Sequence, residues 1–373
     1  MKEKNVEIRI AHIVGKWVGG GVEAVVMNYY RHIDRNKIQF DFICDDDSTN
    51  IPYDEIEKLG GRVILVPGYQ KVFKYQKVLR KIFKENNYKI VHSHINTLSV
   101  FPLFAAWCAK VPVRIAHSHS TTNKKEWKKN LLKVVLRPFA KVFANEYFAC
   151  TEHAGRWMFG NNKFDNNKVY VLNNAIDLDL FKYSKKFRNE IRKELNISDD
   201  KFVIGHVGRF VAQKNHEFIL DIFSEVYKEN SNALLVLVGQ GPLVEKMKDK
   251  CNALNISEAV IFVGQRTDVN KLYQAFDFFL FPSLYEGLGM VAVEAQCAGL
   301  SCLCSTEVPM IAKASENIEF LKLEDDVNTW KQSILSKLNV QKRKDCSKEV
   351  SVYGYNINFE VKKLEDKYYS LVK

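Results

Sequence analysis

The sequence has 373 residues, of which 46% are hydrophobic and 27% are charged, and its formal net charge is +11. This length exceeds one ordinary hydrophobic core and suits two domains, and the composition excludes an intrinsically disordered protein. The sequence contains no apolar stretch long enough to cross a bilayer and begins without an apolar signal segment, so we expect it to stay in the cytoplasm.

The positive charge is concentrated in the first half of the chain. Residues 1–180 carry a net charge of +10, whereas residues 181–373 carry +1. Basic amphipathic segments at 71–84 and 124–136 predict either helices that contact an anionic membrane or core-facing helices with solvated lysines. No zinc finger, RNP-like strand or helix-turn-helix motif is present, so we do not expect nucleic acid as a partner.

The first half predicts a doubly wound α/β domain. It opens with a strand at Ile8–Val14, a glycine loop at Gly15–Gly21 and a helix at Val22–His32. Further strands, separated by helical patterns, are predicted at Phe40–Cys44, Arg62–Val66, Ile90–Ser93, Val113–His117 and Tyr147–Cys150.

A second series of the same kind follows. Its predicted strands are Phe202–Val207, Ala233–Val238, Val260–Val263, Phe276–Phe281 and Ser301–Cys304. The two series predict two Rossmann-like domains, at residues 1–180 and 181–354. Because ligands of such sheets bind at the carboxyl ends of the strands, we expect the domains to face a central cleft that holds the site.

Charged residues follow two of these strands. Arg209 and Lys214 form a cationic fork suited to a diphosphate, unless they are simply solvent-facing cations. Glu286 and Glu294 bracket a glycine-rich loop that opens a helix predicted at Val291–Ala298. Both carboxylates can face one ligand there, and the helix start offers N–H donors, which outlines a sugar-nucleotide site. The alternative is two surface glutamates.

Taken in chain order, four motifs resemble those of glycosyltransferase family 4, whose members are retaining, metal-independent enzymes with the GT-B fold. The motifs are Gly19-Gly20-Gly21-Val22-Glu23, Gly208-Arg209 with Lys214, Gly239-Gln240-Gly241 and Glu286-x7-Glu294. Two further segments, at 114–119 and 294–300, are similar to the branch that builds bacterial capsular polysaccharides and exopolysaccharides.

The resemblance implies a role for each matching residue. Arg209 and Lys214 would clamp the donor diphosphate, Glu294 would hydrogen-bond the ribose, and Glu286 would bind the transferred sugar. Either His117 or His119 would lie near the sugar and the acceptor, the alternative being a structural histidine at a strand end. The backbone amides implied to contact the donor phosphates are those of Gly20, Gly21, Gly289, Met290 and Val291.

The resemblance also implies the substrates. We expect a nucleotide-sugar donor, by default a UDP-sugar, and an undecaprenyl-diphosphate-linked saccharide acceptor, with peripheral contact at the inner face of the membrane. A C-terminal helix at about 355–373 would cross back onto the first domain. No cofactor or metal is expected, and Asp45-Asp46-Asp47 and Asp177-Leu178-Asp179 are interpreted as structural.

Three other functions are weighed against this one. A GT-B sugar-nucleotide epimerase would share the two domains, but its catalytic acid pattern is not seen. A non-catalytic sugar-nucleotide-binding subunit would not need Arg209, Lys214, Glu286 and Glu294 together. In a dinucleotide-dependent oxidoreductase, Gly15–Gly21 would cradle a pyrophosphate, yet its glycines do not fit the G-x-G-x-x-G spacing.

Overall fold

A computed structural model describes residues 7–119, 134–338, 343 and 345–373. The chain divides into a first unit, Met1–Ile176 with Asn356–Lys373, and a second unit, Asp177–Tyr355. Most of the basic segment predicted at 124–136 lies outside the described residues.

The first unit contains a parallel sheet with its order reversal at the centre. Its described strands are β1 (Ile8–Gly15), β2 (Ile38–Asp45), β3 (Arg62–Val66), β4 (Ile90–Ser93), β5 (Val113–Ser118), β6 (Glu146–Ala149) and β7 (Val169–Val171). They lie in the order β3-β2-β1-β4-β5-β6-β7. The chain therefore switches direction across the sheet between β1 and β4, where doubly wound folds bind ligands.

Helices cover the first sheet. They are α1 (Gly21–His32), α2 (Tyr53–Lys58), α3 (Val72–Glu85), α4 (Val100–Cys108), α5 (Glu152–Phe159) and α6 (Asn161–Asp165), with 3-10 turns at Asn96–Ser99 and Phe139–Lys141. In α3, Leu79 and Phe83 are buried in the core, whereas Val72 and Phe73 are exposed. Most of the apolar face predicted at 71–84 is thus core packing.

The C-terminal helix, Ile357–Val372, completes the first unit. The Asn356 side chain caps its start by accepting the Asn358 N–H at 3.0 Å. Its apolar face packs into the same core as β1 and β2, and that face consists of Ile357, Val361, Leu364 and Tyr368. The first unit is therefore built from two separate stretches of sequence.

The second unit contains another parallel sheet. Its described strands are β8 (Phe202–Val207), β9 (Ala233–Val238), β10 (Val260–Gly264), β11 (Phe278–Phe281), β12 (Ser301–Ser305) and β13 (Ile318–Leu321), in the order β10-β9-β8-β11-β12-β13. The reversal lies between β8 and β11. The helices are α7 (Leu178–Phe181), α8 (Lys185–Glu194), α9 (His216–Glu229), α10 (Val244–Ala253), α11 (Val269–Ala275), α12 (Met290–Cys297), α13 (Val327–Leu335) and α14 (Ser347–Val350).

One predicted strand begins too early. Phe276 follows α11, which ends at Ala275, and does not belong to β11, which starts at Phe278. The Phe276 ring fills the space beside Gly205, where an added Cβ would lie 2.1 Å from it. Asp277 is held by Arg188 and Arg192 at 2.8 and 2.6 Å, and these contacts fix the turn before the strand.

None of the eight cysteines, all of which the structure describes, forms a disulfide, and all but Cys108 are buried. Within the described residues, no helix combines the length and apolar content needed to span a bilayer.

Candidate active site

The loop after β8 is held by glycines of the loop after β9. The Gly208 N–H donates to the Val238 carbonyl and the Phe210 N–H to the Gln240 carbonyl, both at 2.9 Å. Gly239 has φ of +139°, and a Cβ added there would lie 2.1 Å from the Gly208 oxygen. Only glycine allows this close approach, which fixes the backbone on both sides of Arg209.

Lys214 and Glu286 form an ion pair next to this loop. The Lys214 Nζ donates to Glu286 Oε1 at 2.6 Å, with the two side chains 16% and 8% exposed. Gln213 Nε2 adds bonds to the Tyr285 carbonyl at 3.0 Å and to Glu286 Oε2 at 3.3 Å. Since these residues follow β8 and β11, the site lies at the switch point of the second sheet.

Arg209 differs from Lys214 in its surroundings. Its side chain is exposed, and among the residues that the structure describes no carboxylate forms an ion pair with it. A guanidinium left free in this way can bind an anion from solution without breaking an internal contact.

Glu294 lies on α12 and is oriented by a tyrosine. Its Oε2 accepts a hydrogen bond from the Tyr273 hydroxyl at 2.9 Å, and the same hydroxyl contacts the Val291 carbonyl at 3.2 Å. Burial raises the pKa of Glu294 to about 7, although the bond from Tyr273 acts in the opposite direction. This carboxyl group therefore changes charge near neutral pH.

The helix start that was predicted to cradle phosphate begins one residue earlier than expected. α12 runs from Met290, not Val291, and ends at Cys297 rather than Ala298. Gly289 precedes it with φ of +87°, a conformation that ends the loop sharply and is strained for other residues. A Cβ at Gly289 would also lie 2.9 Å from Val308.

Sequence patterns did not single out three polar residues of this region. Tyr273 is fully buried, and its position in a helical pattern predicts a core residue and not a site residue. His206 Nε2 is buried, has no hydrogen-bond partner in the described part of the chain and lies 2.9 Å from where a Cβ on Gly208 would be. The ring of His216 stacks on Phe210 at 4.0 Å.

In the first unit, His117 and His119 belong to one buried histidine cluster. His119 Nε2 lies 3.0 Å from His94 Nδ1, and His94 Nε2 lies 2.9 Å from His12 Nδ1. His117 Nδ1 lies 3.0 Å from His92 Nε2, and His92 Nδ1 lies 2.8 Å from the Tyr368 hydroxyl. The two predicted histidines thus belong to different hydrogen-bonded chains, which their rings join by stacking at 3.9 Å.

Burial keeps the cluster neutral. It lowers the pKa of His12 and His119 to about 3 and that of the other three well below the ordinary value. His12, His117 and His119 each keep one buried nitrogen that no described residue hydrogen-bonds. Two triplets, His12-His92-His94 and His94-His117-His119, have ligand atoms within 4.8 Å of one another, so they could hold a metal ion.

The spacing of these histidines indicates a shared strand face, which the sequence analysis did not use. His92 and His94, like His117 and His119, are two residues apart on a strand, so each pair shares one face. His12 joins them because β1 is the neighbour of β4 in the sheet.

The glycine loop of the first unit leads into α1. Gly20 precedes the helix and Gly21 is its first residue. Glu23 folds back over the loop, where its Oε1 accepts the Val18 N–H at 3.0 Å and its Oε2 would lie 2.9 Å from a Cβ on Gly20. The predicted contact of these two glycines with a donor stays a prediction.

Sequence comparison finds matches in both halves of the chain. Residues 19–180 match the model of the family "Glycosyltransferase Family 4", and residues 187–350 match "Glycosyl transferases group 1". The putative glycosyltransferase EpsF of Bacillus subtilis is 35% identical over 332 residues, which cover 87% of this chain and 86% of that protein. The UDP-Gal:alpha-D-GlcNAc-diphosphoundecaprenol alpha-1,3-galactosyltransferase of Escherichia coli is 25% identical, covering 100% and 99%.

A similar fold occurs in solved structures. HepE of Anabaena, crystallised with UDP and glucose, superposes with a TM-score of 0.80 at 18% identity, covering 97% of this chain and 100% of that one. At this identity the likeness concerns the fold alone.

Proposed function

The chain belongs to glycosyltransferase family 4 and has the GT-B fold, and on that premise we propose that it moves a sugar from a nucleotide diphosphate to a lipid-linked saccharide during bacterial polysaccharide synthesis. The E. coli relative is named for a UDP-sugar donor and a diphosphoundecaprenol-linked acceptor, and a Staphylococcus aureus relative is named for capsular polysaccharide biosynthesis. These names support a UDP-sugar and a lipid-linked acceptor here.

One observation carries the donor site: the Lys214–Glu286 pair and the free Arg209 lie together at the switch point of the second sheet. When the sugar leaves, negative charge grows on the departing diphosphate. Cations placed beside the diphosphate stabilise that charge, which is the principal way such sites lower a barrier. We therefore assign the diphosphate to Arg209 and Lys214, and the transferred sugar to Glu286.

The ribose is assigned to Glu294. A carboxylate held by Tyr273 at 2.9 Å is oriented before the ligand arrives, which reduces the ordering cost of binding. The amides at the start of α12, around Gly289, Met290 and Val291, would add N–H donors to the phosphates.

The configuration at the anomeric carbon would be retained if the acceptor hydroxyl attacks on the same face that the diphosphate leaves. The leaving phosphate oxygen would then accept the proton of that hydroxyl. This route needs neither a carboxylate nucleophile nor a divalent metal, because Arg209 and Lys214 supply the positive charge. We therefore propose that transfer proceeds without an added metal.

Transfer assays with defined substrates test the proposal. Purified protein is mixed with UDP- and GDP-sugars and N-acetylglucosamine on a short prenyl diphosphate, with and without EDTA. We expect nucleoside diphosphate release, a product heavier by one sugar, and an α linkage by NMR when the donor is α-linked. A protein that neither binds nor releases any nucleoside diphosphate would contradict the function. A product with inverted anomeric configuration, or loss of activity in EDTA, would contradict only the mechanism.

We also propose that the first unit contacts an anionic membrane, where such an acceptor would be anchored. Phe73 is 93% exposed at the start of the lysine-rich α3, and Trp107 of α4 is 54% exposed. The Trp107 ring lies 5.8 Å from Phe143, which is partly buried against the core. Exposed aromatics beside cations suit the headgroup region of an anionic bilayer.

Sedimentation with vesicles tests this contact. Wild-type protein should pellet with phosphatidylglycerol vesicles at low salt, and Phe73→Ser with Trp107→Ser should reduce binding. Leu180→Ser is the matched control, since Leu180 is 52% exposed in the second unit. Equal binding by all three proteins, or none at low salt, would exclude this surface.

A further inference from the structure

Gln213 joins the loop after β8 to the loop after β11. It lies in a 3-10 turn, Ala212–Lys214, whose backbone is held against the second loop because the Leu284 N–H donates to the Gln213 carbonyl at 2.8 Å. The amide Nε2 of Gln213 donates into the same loop, to the Tyr285 carbonyl at 3.0 Å and to Glu286 Oε2 at 3.3 Å. The main chain and the side chain of one residue thus hold the two loops together.

These partners explain why the residue is a glutamine. A carbonyl and an ionised carboxylate only accept hydrogen bonds, so the NH₂ group of Gln213 must face them. A glutamate here would have almost the same shape, but it would bring a second carboxylate against Glu286, and like charges this close oppose each other's ionisation. An aliphatic side chain would leave the Tyr285 carbonyl and Glu286 Oε2 without this donor. A neutral amide therefore suits both acceptors.

Each carboxylate oxygen of Glu286 has its own donor. The Lys214 Nζ donates to Oε1 at 2.6 Å and the Gln213 Nε2 to Oε2, while the Glu286 side chain is only 8% exposed. The last torsion of a glutamate side chain has no sharp preference of its own, so its partners decide the plane of the carboxylate. Gln213 and Lys214 together therefore fix that plane.

The two donors differ in what else they do. Under the proposed function, Lys214 also binds the donor diphosphate, so its ammonium group is shared between the phosphate and Glu286. Gln213 carries no charge to attract a phosphate, and within the described chain both hydrogen bonds of its Nε2 go to the loop after β11. It can therefore hold Glu286 while Lys214 engages the diphosphate. Such positioning matters, because a displacement of about 1 Å can lower a rate roughly a hundredfold.

We propose that Gln213 is a positioning residue for sugar transfer, acting through Glu286 by fixing the plane of its carboxylate. The inference rests on the proposed function, which assigns the transferred sugar to Glu286. Gln213 needs no contact with either substrate to play this part, so its replacement should affect turnover more than binding of the nucleotide.

Turnover kinetics with two substitutions test this role. Gln213→Leu removes the donor without adding charge, so kcat should fall about tenfold, whereas UDP affinity in calorimetry should change by less than about twofold. Gln213→Glu should lower kcat further at pH 8, because its carboxylate repels Glu286. At pH 6 part of that loss should be recovered, since protonation of the introduced carboxyl group restores a donor to Oε2. A purely structural role would not produce this pH dependence.

Gln332→Glu is the matched control, since Gln332 is exposed on α13. Its kcat relative to wild type should stay near 1 at both pH values. A kcat of Gln213→Leu within about twofold of wild type, or a ratio of Gln213→Glu to wild type that does not rise at pH 6, would overturn the proposal.

A measurement without substrate keeps this inference apart from the proposed function. In urea unfolding, the effects of Gln213→Leu and Glu286→Ala should be non-additive, because each removes the same hydrogen bond. Additive effects would show that Gln213 does not hold Glu286. Absence of turnover and of UDP binding in wild type would instead refute the proposed function, and the unfolding experiment would still decide whether the two residues are coupled.

Discussion

At the scale of single residues, the two predicted cations occupy different environments. Lys214 is mostly buried against Glu286, whereas Arg209 is exposed and free of ion pairs in the described chain. Removing one partner of a buried pair leaves an uncompensated charge, but removing an exposed arginine does not. Replacing either cation should therefore weaken donor binding, but only replacement of Lys214 should lower the stability of the fold.

The first prediction separates binding from folding at these two positions. Arg209→Ala should lower donor turnover at least tenfold while leaving the urea-unfolding midpoint unchanged, because its guanidinium supports only the ligand. Lys214→Ala should lower turnover and also destabilise the protein by about 3 kcal/mol, since Glu286 loses its cation. Lys248→Ala, on an exposed face of α10, is the control. Equal stability of the Arg209 and Lys214 variants would show that the ion pair is not buried in solution.

The second prediction concerns the charge of Glu294. Its pKa of about 7 means that the carboxyl group ionises as pH rises from 6 to 8, which strengthens its bond to a ribose hydroxyl. UDP affinity should therefore gain about fivefold over this range beyond the effect of the phosphate itself. Calorimetry of Glu294→Gln beside wild type isolates this gain, because the protonation of the UDP phosphate changes with pH in the same way for both proteins.

Tyr273→Phe provides a second check on Glu294. The tyrosine hydroxyl favours the ionised carboxylate, so its removal should raise the pKa of Glu294 and move the gain in affinity to higher pH. A pH profile identical to that of wild type would show that Tyr273 does not orient this carboxylate.

At the scale of elements, glycines at the ends of β9 and β10 are needed for different reasons. Gly239 needs a positive φ and also lies against the Gly208 carbonyl. Gly264, at the end of β10, has φ of +79° but open space where its Cβ would be. Comparing alanine substitutions at Gly239 and Gly264 therefore separates the cost of backbone strain from the cost of a steric collision.

The third prediction uses that pair. Gly264→Ala should cost about 1 kcal/mol from the left-handed backbone alone. Gly239→Ala adds a collision with backbone, so it should cost about 2 to 4 kcal/mol and weaken UDP binding by displacing the loop that carries Arg209. Chemical denaturation and calorimetry measure both effects. The interpretation fails if the two alanine variants are equally stable and bind UDP equally well.

The elements show how far sequence alone could reach. Most strands were predicted because they are buried on both faces and form continuous apolar runs, as in β9, Ala233–Val238. The edge strands β7 and β13 have only three and four residues, and their burial is mixed. Such short segments show no periodic pattern from which a strand could be predicted. Charged residues just after strand ends indicated the candidate donor residues, because ligands of such sheets bind at switch-point loops.

The remaining site residues could not be predicted because their roles depend on tertiary contacts. Tyr273 matters through a bond to Glu294, twenty-one positions along the chain, and nothing in its helix indicates that partner. His12 reaches His94 only because β1 and β4 are neighbours across the sheet, a topology that local patterns do not specify.

At the scale of the whole molecule, buried imidazoles are unevenly distributed between the two units. The described first unit buries His12, His92, His94, His117 and His119, and the second buries His206 and His216. Burial lowers the pKa of each of these groups. Acid should therefore affect the units unequally.

The fourth prediction follows from proton linkage. The folded pKa of each imidazole lies below the ordinary value near 6.5, so the unfolded chain binds more protons as pH falls from about 6.5 toward 3. Each group then removes up to about 1.4 kcal/mol of stability per pH unit, and the first unit has more such groups. Hydrogen–deuterium exchange at pH 7.5 and 5.0, corrected for intrinsic rates, should show protection lost first at β1, β4 and β5, with β8 and β9 as the internal comparison. Equal loss in both sheets, or none in the first, would mean that the cluster is charged or compensated in solution.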